Sequence, residues 1–561
     1  MPDALNTIFG REAFLALLES EGVSHLFGNP GTTELPIMAA LPDRPAITYV
    51  MALQEALVVA MADGYSRASG DLSACNVHVA PGLGNAMGSL YNAKWMGSPI
   101  LLTAGQQEQG HGLTEPMLYA PLVPIAQPLV KWAVEVTRLQ DLPRIVHRAA
   151  KIAMTPPTGP VFISLPGDIL NEQDALELGK ATRIDTAGRP SDETLDRLAE
   201  RLLSARRPVI VAGHEIGTSN ALEEAATIAE LLGAPVYQQT VCDGAHFLSE
   251  HPAFMGALTR DQRDVRNTLS PYDLMFCIGS DVLRMSVYNA LDPMPEGMAV
   301  VQLGLRDWEM GKNYPAEIAL RADVKETLAA LAPLIQRKRE PEGAERAAAA
   351  ISALSDSNWS ANRDAARARA LSGTGAAPMR PDLAMLRIVD ALPKDAVIVE
   401  EGILSARALP ALYPFRDAKA FFGLGSGGIG FAMAGAVGVQ LALPDRPVVA
   451  VIGDGSAMYS IQALWTAANA KLPITYVIAN NGGYRIIKER LKSFHGVERY
   501  TGMEVKDPPI DFVGLARSMG VAAMQLTDPD DIAPAIEAST RRDGPTLIEV
   551  VVDDGFGNEG R

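Results

Sequence analysis

Short apolar runs alternate with amphipathic segments through the first third of the chain. The runs that suit buried strands are Val23–Phe27, Ile47–Ala52, Ala74–Val79 and Pro99–Ala104. Helical spacing of apolar residues covers Arg11–Glu21, Glu55–Ser69 and Asn85–Lys94. Because buried strands that alternate with helices form parallel sheets with helices on both faces, this pattern predicts a doubly wound α/β domain.

The same alternation recurs in two later blocks. Strands are predicted at Pro208–Ala212, Ala234–Tyr237, Asp273–Ile278 and Ala299–Leu303, and then at Ala396–Val399, Val448–Ile452, Ile474–Ile478 and Thr546–Val551. Polar connectors at 171–190 and 336–378 separate the blocks, and the second, charged and alanine-rich, predicts a solvent-exposed helix and hinge. We therefore expect an α/β fold of three doubly wound parallel-sheet domains, at residues 1–170, 191–335 and 380–552.

Composition excludes several classes of function. The chain has 561 residues and a formal net charge of −17, which makes nucleic acid and anionic membrane surfaces poor partners. Its three cysteines lie far apart, as expected in a reducing compartment. The first residues lack the apolar core of a signal peptide, and no apolar run is long enough to span a bilayer. These features predict a globular cytoplasmic protein.

The stretch from Gly453 to Tyr484 carries the clearest chemistry. It reads as strand, helix and strand, with Asp454 after the first strand and Asn481 after the second. Asp-Gly after a strand is usually only a turn, but both loops here fall at the carboxyl edge of one parallel sheet, where ligands bind. A carboxylate and an amide oxygen at one point suit Mg²⁺ or Ca²⁺ with phosphate oxygens completing the shell. The pattern predicts a metal that holds a diphosphate.

Glu55 stands at the start of a predicted helix among Met51, Leu53 and Leu57. An acid at this position is commonly a cap that complements the helix dipole. Apolar surroundings, however, favour the neutral carboxylic acid, which could protonate or hydrogen-bond a ring nitrogen of a cofactor. Both interpretations of Glu55 are open at this point.

Long blocks of the sequence resemble one enzyme family. The blocks are GNPGTTELP, ALQEA, ADGYSRAS, NVHVAPGLGNAMG, PILLTAGQQ, QPLVKW, GSGGIGFA and GDGSAMYSIQALWTAA. Over nearly the full length the chain resembles the thiamine diphosphate (ThDP)-dependent decarboxylases and carboligases, most closely the benzoylformate decarboxylase type. The resemblance implies pyrimidine-binding, middle and diphosphate-binding domains, ThDP and Mg²⁺ as cofactors, and a homotetramer with active sites between chains. It also implies non-oxidative decarboxylation of an aryl or branched 2-oxo acid to an aldehyde.

The resemblance assigns roles to individual residues. Glu55 matches the glutamate that activates the cofactor, Thr32 the hydroxyl that binds the substrate carboxylate, and His78 a catalytic histidine. The metal ligands would be Asp454, Asn481 and the main-chain carbonyl of Gly483. The other expected cofactor contacts are Gly402, Ser405, Gly427, Ile429, Gly453, Gly455, Ser456 and Tyr484, with Ile429 bending the cofactor.

Two departures from the family pattern affect the expected chemistry. Ser286 stands where the family has a second catalytic histidine in the middle domain, so His111 or His495 could replace it, with His111 preferred. The loop EEGILSA offers only Ser405 as a hydroxyl to the diphosphate, so the backbone N–H groups of 402–404 are expected to contribute.

Several alternatives remain on the sequence alone. Within the family, these are a carboligase like acetolactate synthase or a 2-hydroxyacyl-CoA lyase. Gly423, Gly425 and Gly428 form a GxGxxG pattern that would suit a nicotinamide oxidoreductase, but no ribose-binding acid follows on a second strand. A non-enzymatic scaffold is the least favoured. FAD in the middle domain is not expected but is not excluded, and the basic segment 485–492 is either a solvated helix face or a site that attracts a larger anionic substrate.

Overall fold

The computed structural model describes residues 7–286, 288–372 and 374–556. Residues 1–6, which contributed to the argument against a signal peptide, lie outside them. The chain forms two compact units, one of residues 1–185, 391–406 and 424–561, the other of residues 186–390 and 407–423. No helix in the described parts of the chain is long and apolar enough to cross a membrane.

The first unit contains an amino-terminal sheet of six parallel strands. Their order across the sheet is Thr48–Met51, His25–Gly28, Ser73–Val77, Ile100–Gln106, Val161–Pro166 and Ala133–Glu135. The strand order reverses between His25–Gly28 and Ser73–Val77, which marks their carboxyl ends as the expected ligand crevice. The α-helices are Gly10–Ser20, Leu35–Ala40, Glu55–Ser69, Val79–Met96, Gln109–Gly112, Leu122–Ala126, Leu142–Met154 and Gly167–Asn171. Thr7–Phe9 pairs antiparallel with Gln173–Ala175.

The first unit also contains a carboxyl-terminal parallel sheet. Its strands in this unit lie in the order Val397–Glu401, Val448–Gly453, Ile474–Asn480, Thr546–Val551 and Ala522–Leu526. Glu401 pairs in register with Ile452, so the loops that follow these two strands start side by side. The helices are Ala432–Ala442, Asp454–Ala457, Ala463–Asn469, Arg485–His495, Phe512–Ser518 and Ile532–Ser539.

Glycine allows a close helix contact within the first unit. The helix Glu55–Ser69 starts with Gln54 accepting a hydrogen bond from the Ala56 N–H and ends at Gly70. A Cβ on Gly438, in the helix Ala432–Ala442, would lie 1.9 Å from the carbonyl oxygen of Met61. Backbone therefore meets backbone here, and the helix that begins with Glu55 is held in place by the carboxyl-terminal part of the unit.

The second unit holds the middle sheet, six parallel strands. Their order is Phe254–Ala257, Val236–Gln238, Pro208–Ala212, Leu274–Ile278, Ala299–Gly304 and Ile318–Arg321. The helices are Asp192–Ser204, His214–Thr218, Leu222–Leu232, Gln262–Leu269, Val324–Lys338, Pro341–Ser352, Trp359–Leu371 and Leu409–Leu412, and Pro381–Ala391 ends at the boundary of the unit. A short strand, Phe421–Phe422, also belongs to this unit.

The predicted fold class, three α/β domains built on parallel sheets, is confirmed. The exact domain boundaries 1–170, 191–335 and 380–552 stay predictions. The expectation that 336–378 is only an exposed helix and hinge is wrong for Trp359, which is 3% exposed and donates its indole N–H to the carbonyl of Pro410 at 3.0 Å. The alanine-rich composition concealed this buried aromatic anchor.

Candidate functional site

Glu55 is buried at the carboxyl edge of the amino-terminal sheet. Asn29, from the loop after His25–Gly28, donates its side-chain amide to Oε1 of Glu55 at 3.1 Å. Asn85, on the helix Val79–Met96, donates to Oε2 at 3.0 Å. The surroundings of the carboxyl group are therefore less apolar than the sequence indicated, because both oxygens receive an amide N–H. This arrangement fixes the direction of the group.

His78 follows the neighbouring strand Ser73–Val77 and lies next to a buried acid. Its Nδ1 is 2.7 Å from Oε2 of Glu34, whose side chain is 1% exposed. Oε1 of Glu34 accepts hydrogen bonds from the Thr33 hydroxyl at 2.8 Å and the Gly105 N–H at 3.0 Å. With Nδ1 held by Glu34, the ring turns Nε2 away from this contact, which is the arrangement used for proton transfer by an oriented imidazole.

The backbone around His78 is tightly constrained. A Cβ on Gly31 would lie 2.2 Å from Nδ1 of His78, so only glycine fits against the ring. Val79 follows with φ of 39°, which is unusual for a β-branched residue. Residues in such conformations concentrate at functional sites, where the surrounding structure holds them.

The predicted metal ligands come together at the carboxyl edge of the other sheet. Oδ2 of Asp454 and Oδ1 of Asn481 both accept the N–H of Gly483, each at 3.0 Å. The two oxygens therefore lie close to one point, as the strand–helix–strand pattern predicts. Asn481 also donates its amide to the hydroxyl of Ser405 at 3.2 Å, which brings a predicted diphosphate contact to the same place.

The donor set at this point fits a hard divalent cation. Burial raises the pKa of Asp454 to about 6, although N–H groups of Gly455, Gly483 and Gly482 oppose that rise. A bound cation would relieve this cost by stabilising the carboxylate. In the described ranges no group of three or more His, Cys, Asp or Glu side chains could hold a metal ion by itself. One carboxylate, one amide and one carbonyl leave room for phosphate oxygens, as Mg²⁺ sites on diphosphates require.

The ring of Tyr484 packs against the Gly-Asp-Gly turn that carries Asp454. A Cβ on Gly455 would lie 2.6 Å from Cε1 of Tyr484, so the Gly-Asp-Gly turn and Tyr484 pack directly together. Asp454 and Ser456 are buried in this turn. Gly453 lies beside Gly402, whose carbonyl oxygen would be 3.7 Å from an added Cβ. Predicted cofactor contacts from three loops thus share one crevice.

The loop after Val397–Glu401 differs from the expectation. The N–H groups of Gly402 and Ile403 donate to Oε1 of Glu400, at 2.7 and 3.2 Å, so they already have an acceptor. Their proposed contact with a diphosphate requires Glu400 to move away. Ser405 is buried and faces Asn481, which suits its predicted role. Ile403 has φ of 51°, a second strained β-branched residue.

The glycine loop around Ile429 is held by a buried acid. Glu401 accepts the N–H of Gly430 at 2.5 Å and that of Ala432 at 2.6 Å. Burial raises the pKa of Glu401 to about 7, in spite of these N–H groups. On the other side, Asn92 donates to the carbonyl of Gly428 at 2.8 Å. Ile429 is half-buried between these anchors, and Gly427 beside it has φ of 84°, which favours glycine.

The remaining predicted catalytic residues are not drawn into these clusters. Thr32 is exposed at the start of a short turn. His111 is exposed, and its ring contacts Thr114 within its own loop at 3.2 Å. His495 and Ser286 are also exposed. Their catalytic roles stay predictions.

The basic segment 485–492 is largely neutralised. Arg485 lies 3.2 Å from Glu489, Lys488 2.5 Å from Glu504, and Lys492 2.8 Å from Glu498. These ion pairs favour the interpretation of a helix with its own counter-charges. Arg490 instead stacks on the Phe494 ring, 5.4 Å from its centroid.

The middle sheet has a reversal of strand order, the kind of place where a dinucleotide could bind. It lies between Pro208–Ala212 and Leu274–Ile278, and dinucleotides bind at such points. Here Glu215 fills the place, with its Oε2 accepting the Leu305 N–H at 2.7 Å. A Cβ on Gly213 would lie 2.2 Å from the carbonyl oxygen of Gly279, so the two loops touch.

Little space remains in this crevice. The remaining cavity is about 10 Å³, room for roughly one water molecule. Burial raises the pKa of Glu215, which the guanidinium of Arg306 and the N–H groups of Leu305 and Arg306 oppose. The carboxylate thus takes the N–H groups of this loop for itself, and a phosphate would find them occupied.

Four residues of the site were not singled out from the sequence. Glu34 orients His78, Asn29 and Asn85 hold Glu55, and Glu401 anchors the loop of Ile429. Three of them lie inside matching blocks, in GNPGTTELP and GLGNAMG, and their place in those blocks is the available signal. Glu401 follows a strand, and its position gives no indication of its distant N–H partners.

Comparison with known proteins agrees with this geometry. Residues 9–117, 195–331 and 405–550 match the N-terminal TPP binding, central and C-terminal TPP binding domains of the thiamine pyrophosphate enzymes. Benzoylformate decarboxylase of Pseudomonas aeruginosa is 34% identical over 95% of this chain and 97% of its own length. An acetolactate synthase large subunit of Parasynechococcus marenigrum is 28% identical over 99% of this chain and 89% of its own. The ThDP-dependent 4-hydroxybenzoylformate decarboxylase of Rhodococcus jostii RHA1 superposes with a TM-score of 0.86 at 32% identity, covering 97% of this chain and 99% of its own.

Proposed function

Since the chain belongs to the thiamine pyrophosphate enzyme family, we propose that it is a Mg²⁺- and ThDP-dependent non-oxidative decarboxylase of aryl or branched 2-oxo acids, releasing an aldehyde and CO₂. One observation carries the proposal. The same unit holds an oriented carboxyl group at Glu55, an oriented imidazole at His78 and converging oxygen ligands at Asp454 and Asn481. An interaction scaffold would not need these three arrangements together.

Different residues would bind the metal, contact the diphosphate and exchange a proton with the cofactor. Asp454, Asn481 and the carbonyl of Gly483 would hold Mg²⁺, and Ser405 would meet the diphosphate. When bound, ThDP supplies a nucleophilic carbon for the 2-oxo group and accepts the electron pair that CO₂ leaves behind. Glu55, fixed by Asn29 and Asn85, would exchange a proton with the pyrimidine ring.

His78 would supply the proton that the product needs. Its Nδ1 faces Glu34, so Nε2 is the nitrogen free to serve the substrate. Glu34 holds the ring in this orientation. Thr32, exposed at the crevice, would donate its hydroxyl to the substrate carboxylate.

The substrate class follows from the relatives. The names benzoylformate decarboxylase and 4-hydroxybenzoylformate decarboxylase indicate aryl 2-oxo acids as first candidates. We also propose a homotetramer in the cytoplasm, in which the crevice of Glu55 in one protomer faces the metal loop of its partner. Size-exclusion chromatography with light scattering tests the assembly.

A panel of 2-oxo acids tests the activity. CO₂ release from benzoylformate, 4-hydroxybenzoylformate, 3-methyl-2-oxobutanoate and pyruvate should depend on both ThDP and Mg²⁺ and favour the aryl substrates. The Glu55→Gln variant is the matched control, because it removes the proton-exchanging group at nearly constant size. CO₂ release that does not need ThDP, or no release from any member, would refute the proposal.

Carboligation is the second candidate. Ser286 stands where an imidazole is expected, so one proton donor fewer is available to release an aldehyde. The acetolactate synthase relative points in the same direction. Supplying benzaldehyde together with pyruvate distinguishes the two activities, since a 2-hydroxy ketone forms only by carboligation. A larger yield of 2-hydroxy ketone than of the aldehyde released from pyruvate would favour this candidate.

A further inference from the structure

A large groove lies in the second unit, away from the carboxyl ends of its strands. Pro208 and Pro235, at the amino ends of two neighbouring strands, form its floor, and the helix Pro341–Ser352 forms one wall. Its volume is about 800 Å³, within the range of small-molecule sites. None of the residues assigned to the proposed reaction lines it.

Small residues create this space. Gly233 ends the helix Leu222–Leu232 with φ of 63°, and a Cβ there would lie 2.6 Å from Cα of Ala347. The two helices therefore approach closely at one end. Further along, Ala350 and Ala353 leave the wall open, and leucine side chains with Tyr272 give the groove an apolar surface.

The charge of the lining is opposite to that of the chain. Five cationic side chains line the groove against two carboxylates, and Asp196 and Asp273 outside the lining pair with Lys338 and Arg206, so the groove keeps an excess of cations in a chain that carries −17. The cations are Arg206, Arg207, Lys338, Arg339 and Arg346, and the acids are Glu200 and Glu340. A cleft lined by one sign of charge concentrates the field and attracts the opposite charge.

Two of these cations are available to a ligand. Lys338 lies 2.8 Å from Glu200, and Arg339 donates to the carbonyl of Leu231 at 2.8 Å, so both are held by the protein. Across the described residues no hydrogen bond or ion pair occupies the guanidinium groups of Arg207 or Arg346. Guanidinium groups bind carboxylate, sulfonate and phosphate oxygens with paired hydrogen bonds.

We propose that this groove binds a small organic anion with an apolar body, whose acidic group contacts Arg207 and Arg346 and whose body packs on the apolar surface formed by the leucine side chains and Tyr272. The volume accommodates a ring system, the guanidinium groups attract the anion, and the apolar surface favours a ligand with an apolar body over a simple inorganic ion. The site belongs to the middle domain and does not depend on the proposed decarboxylase activity.

Titration with 8-anilinonaphthalene-1-sulfonate, an aromatic sulfonate, tests the proposal by fluorescence. The full chain is saturated with ThDP and Mg²⁺, so that the cofactor crevice is filled. The R207A/R346A variant should bind the probe roughly tenfold more weakly or worse, because two charge-assisted contacts are lost. The R260A/R263A variant removes two exposed arginines of the same domain outside the groove and should bind like wild type.

A second variant separates space from charge. Ala350→Trp fills the groove from an exposed helix position, so folding should persist while probe binding is lost. Raising NaCl from 0.05 to 0.5 M should weaken binding to wild type and should have less effect on R207A/R346A. Equal affinity of wild type and R207A/R346A would overturn the assignment, and so would sulfate that competes as tightly as the aromatic sulfonate.

Discussion

Glu34 and His78 form a buried acid–imidazole pair, with Oε2 of the acid 2.7 Å from Nδ1 of the ring. The two residues are 44 positions apart and come from loops after neighbouring strands. The Glu34 side chain is 1% exposed, so it would act on a substrate only through the imidazole that it orients. It is a positioning residue for His78.

Glu34→Gln should therefore lower kcat by roughly 10²-fold, because an acid–base group that is misoriented loses much of its ~10²–10⁴-fold contribution. KM for the 2-oxo acid and ThDP affinity should change little. The double variant E34Q/H78Q provides the control: if Glu34 acts through His78, it should be no slower than H78Q alone. Additive losses in the double variant would show an independent role.

Glu55→Gln should bind ThDP but slow the exchange of its thiazolium C2 proton by roughly 10²–10⁴-fold. Gln can still accept a hydrogen bond from an N–H but cannot exchange a proton with the pyrimidine ring. Hydrogen–deuterium exchange followed by NMR measures this step without any substrate. Asn85→Ala, which leaves the carboxyl group but removes its 3.0 Å contact, should give an intermediate rate. Wild-type exchange in Glu55→Gln would mean that Glu55 only caps its helix.

The sequence was sufficient for the fold class and for the approach of the Asp454 and Asn481 loops to each other. The alternation of short apolar runs with amphipathic segments predicted most strands. The strand Thr546–Val551 and the helix Glu55–Ser69 have their predicted bounds. Asp454 and Asn481 were found because the sheet edge brings their loops together whatever the details of packing. Short strands such as Ala522–Leu526 were not predicted, since that strand is mostly half-buried and lacks a continuous apolar run.

The second layer of the site could not be predicted in the same way. Glu34 and Glu401 act through backbone N–H groups and a ring that lie 29 to 71 positions away in the sequence. No periodicity encodes these contacts, because they depend on how loops of different strands meet. The contact of Gly402 is local instead: its N–H was expected to meet the diphosphate, and Glu400 two positions earlier accepts it.

Asp454→Ala should lose ThDP at ordinary Mg²⁺ concentrations, because the cation would retain one neutral side-chain ligand and one carbonyl. Calorimetric titration of ThDP with and without Mg²⁺ measures the change. Asp445→Ala, in an exposed turn before the adjacent strand, is the matched control and should keep wild-type affinity. Unchanged ThDP binding by Asp454→Ala would remove the metal assignment.

His111 is the preferred replacement for the missing middle-domain imidazole, although its ring is exposed in this chain. His111→Ala should lower turnover by ~10²–10⁴-fold if it is an acid–base group, with ThDP affinity unchanged. His495→Ala serves as the comparison, since that histidine is also exposed but follows the metal loop. A slow His495→Ala with a normal His111→Ala would transfer the role to the carboxyl-terminal segment, and normal rates in both would exclude both histidines.

Glu401 should make stability depend on pH with a sign opposite to that of most acids. Its pKa is raised from 4.5 to about 7 by burial, so the folded state holds the proton more tightly than the unfolded state. The contribution of Glu401 to the free energy of unfolding is full below pH 4.5 and is lost as pH rises to 7, a change of about 3 kcal/mol.

Glu401→Gln cannot titrate, and its single carbonyl oxygen leaves the Gly430 or Ala432 N–H without its acceptor at every pH. The thermal midpoint of the wild type without cofactor should therefore exceed that of Glu401→Gln by more at pH 5 than at pH 8. Asp445→Asn should follow the wild-type pH dependence. A difference between wild type and Glu401→Gln that is constant from pH 5 to 8 would show that Glu401 is ionised throughout.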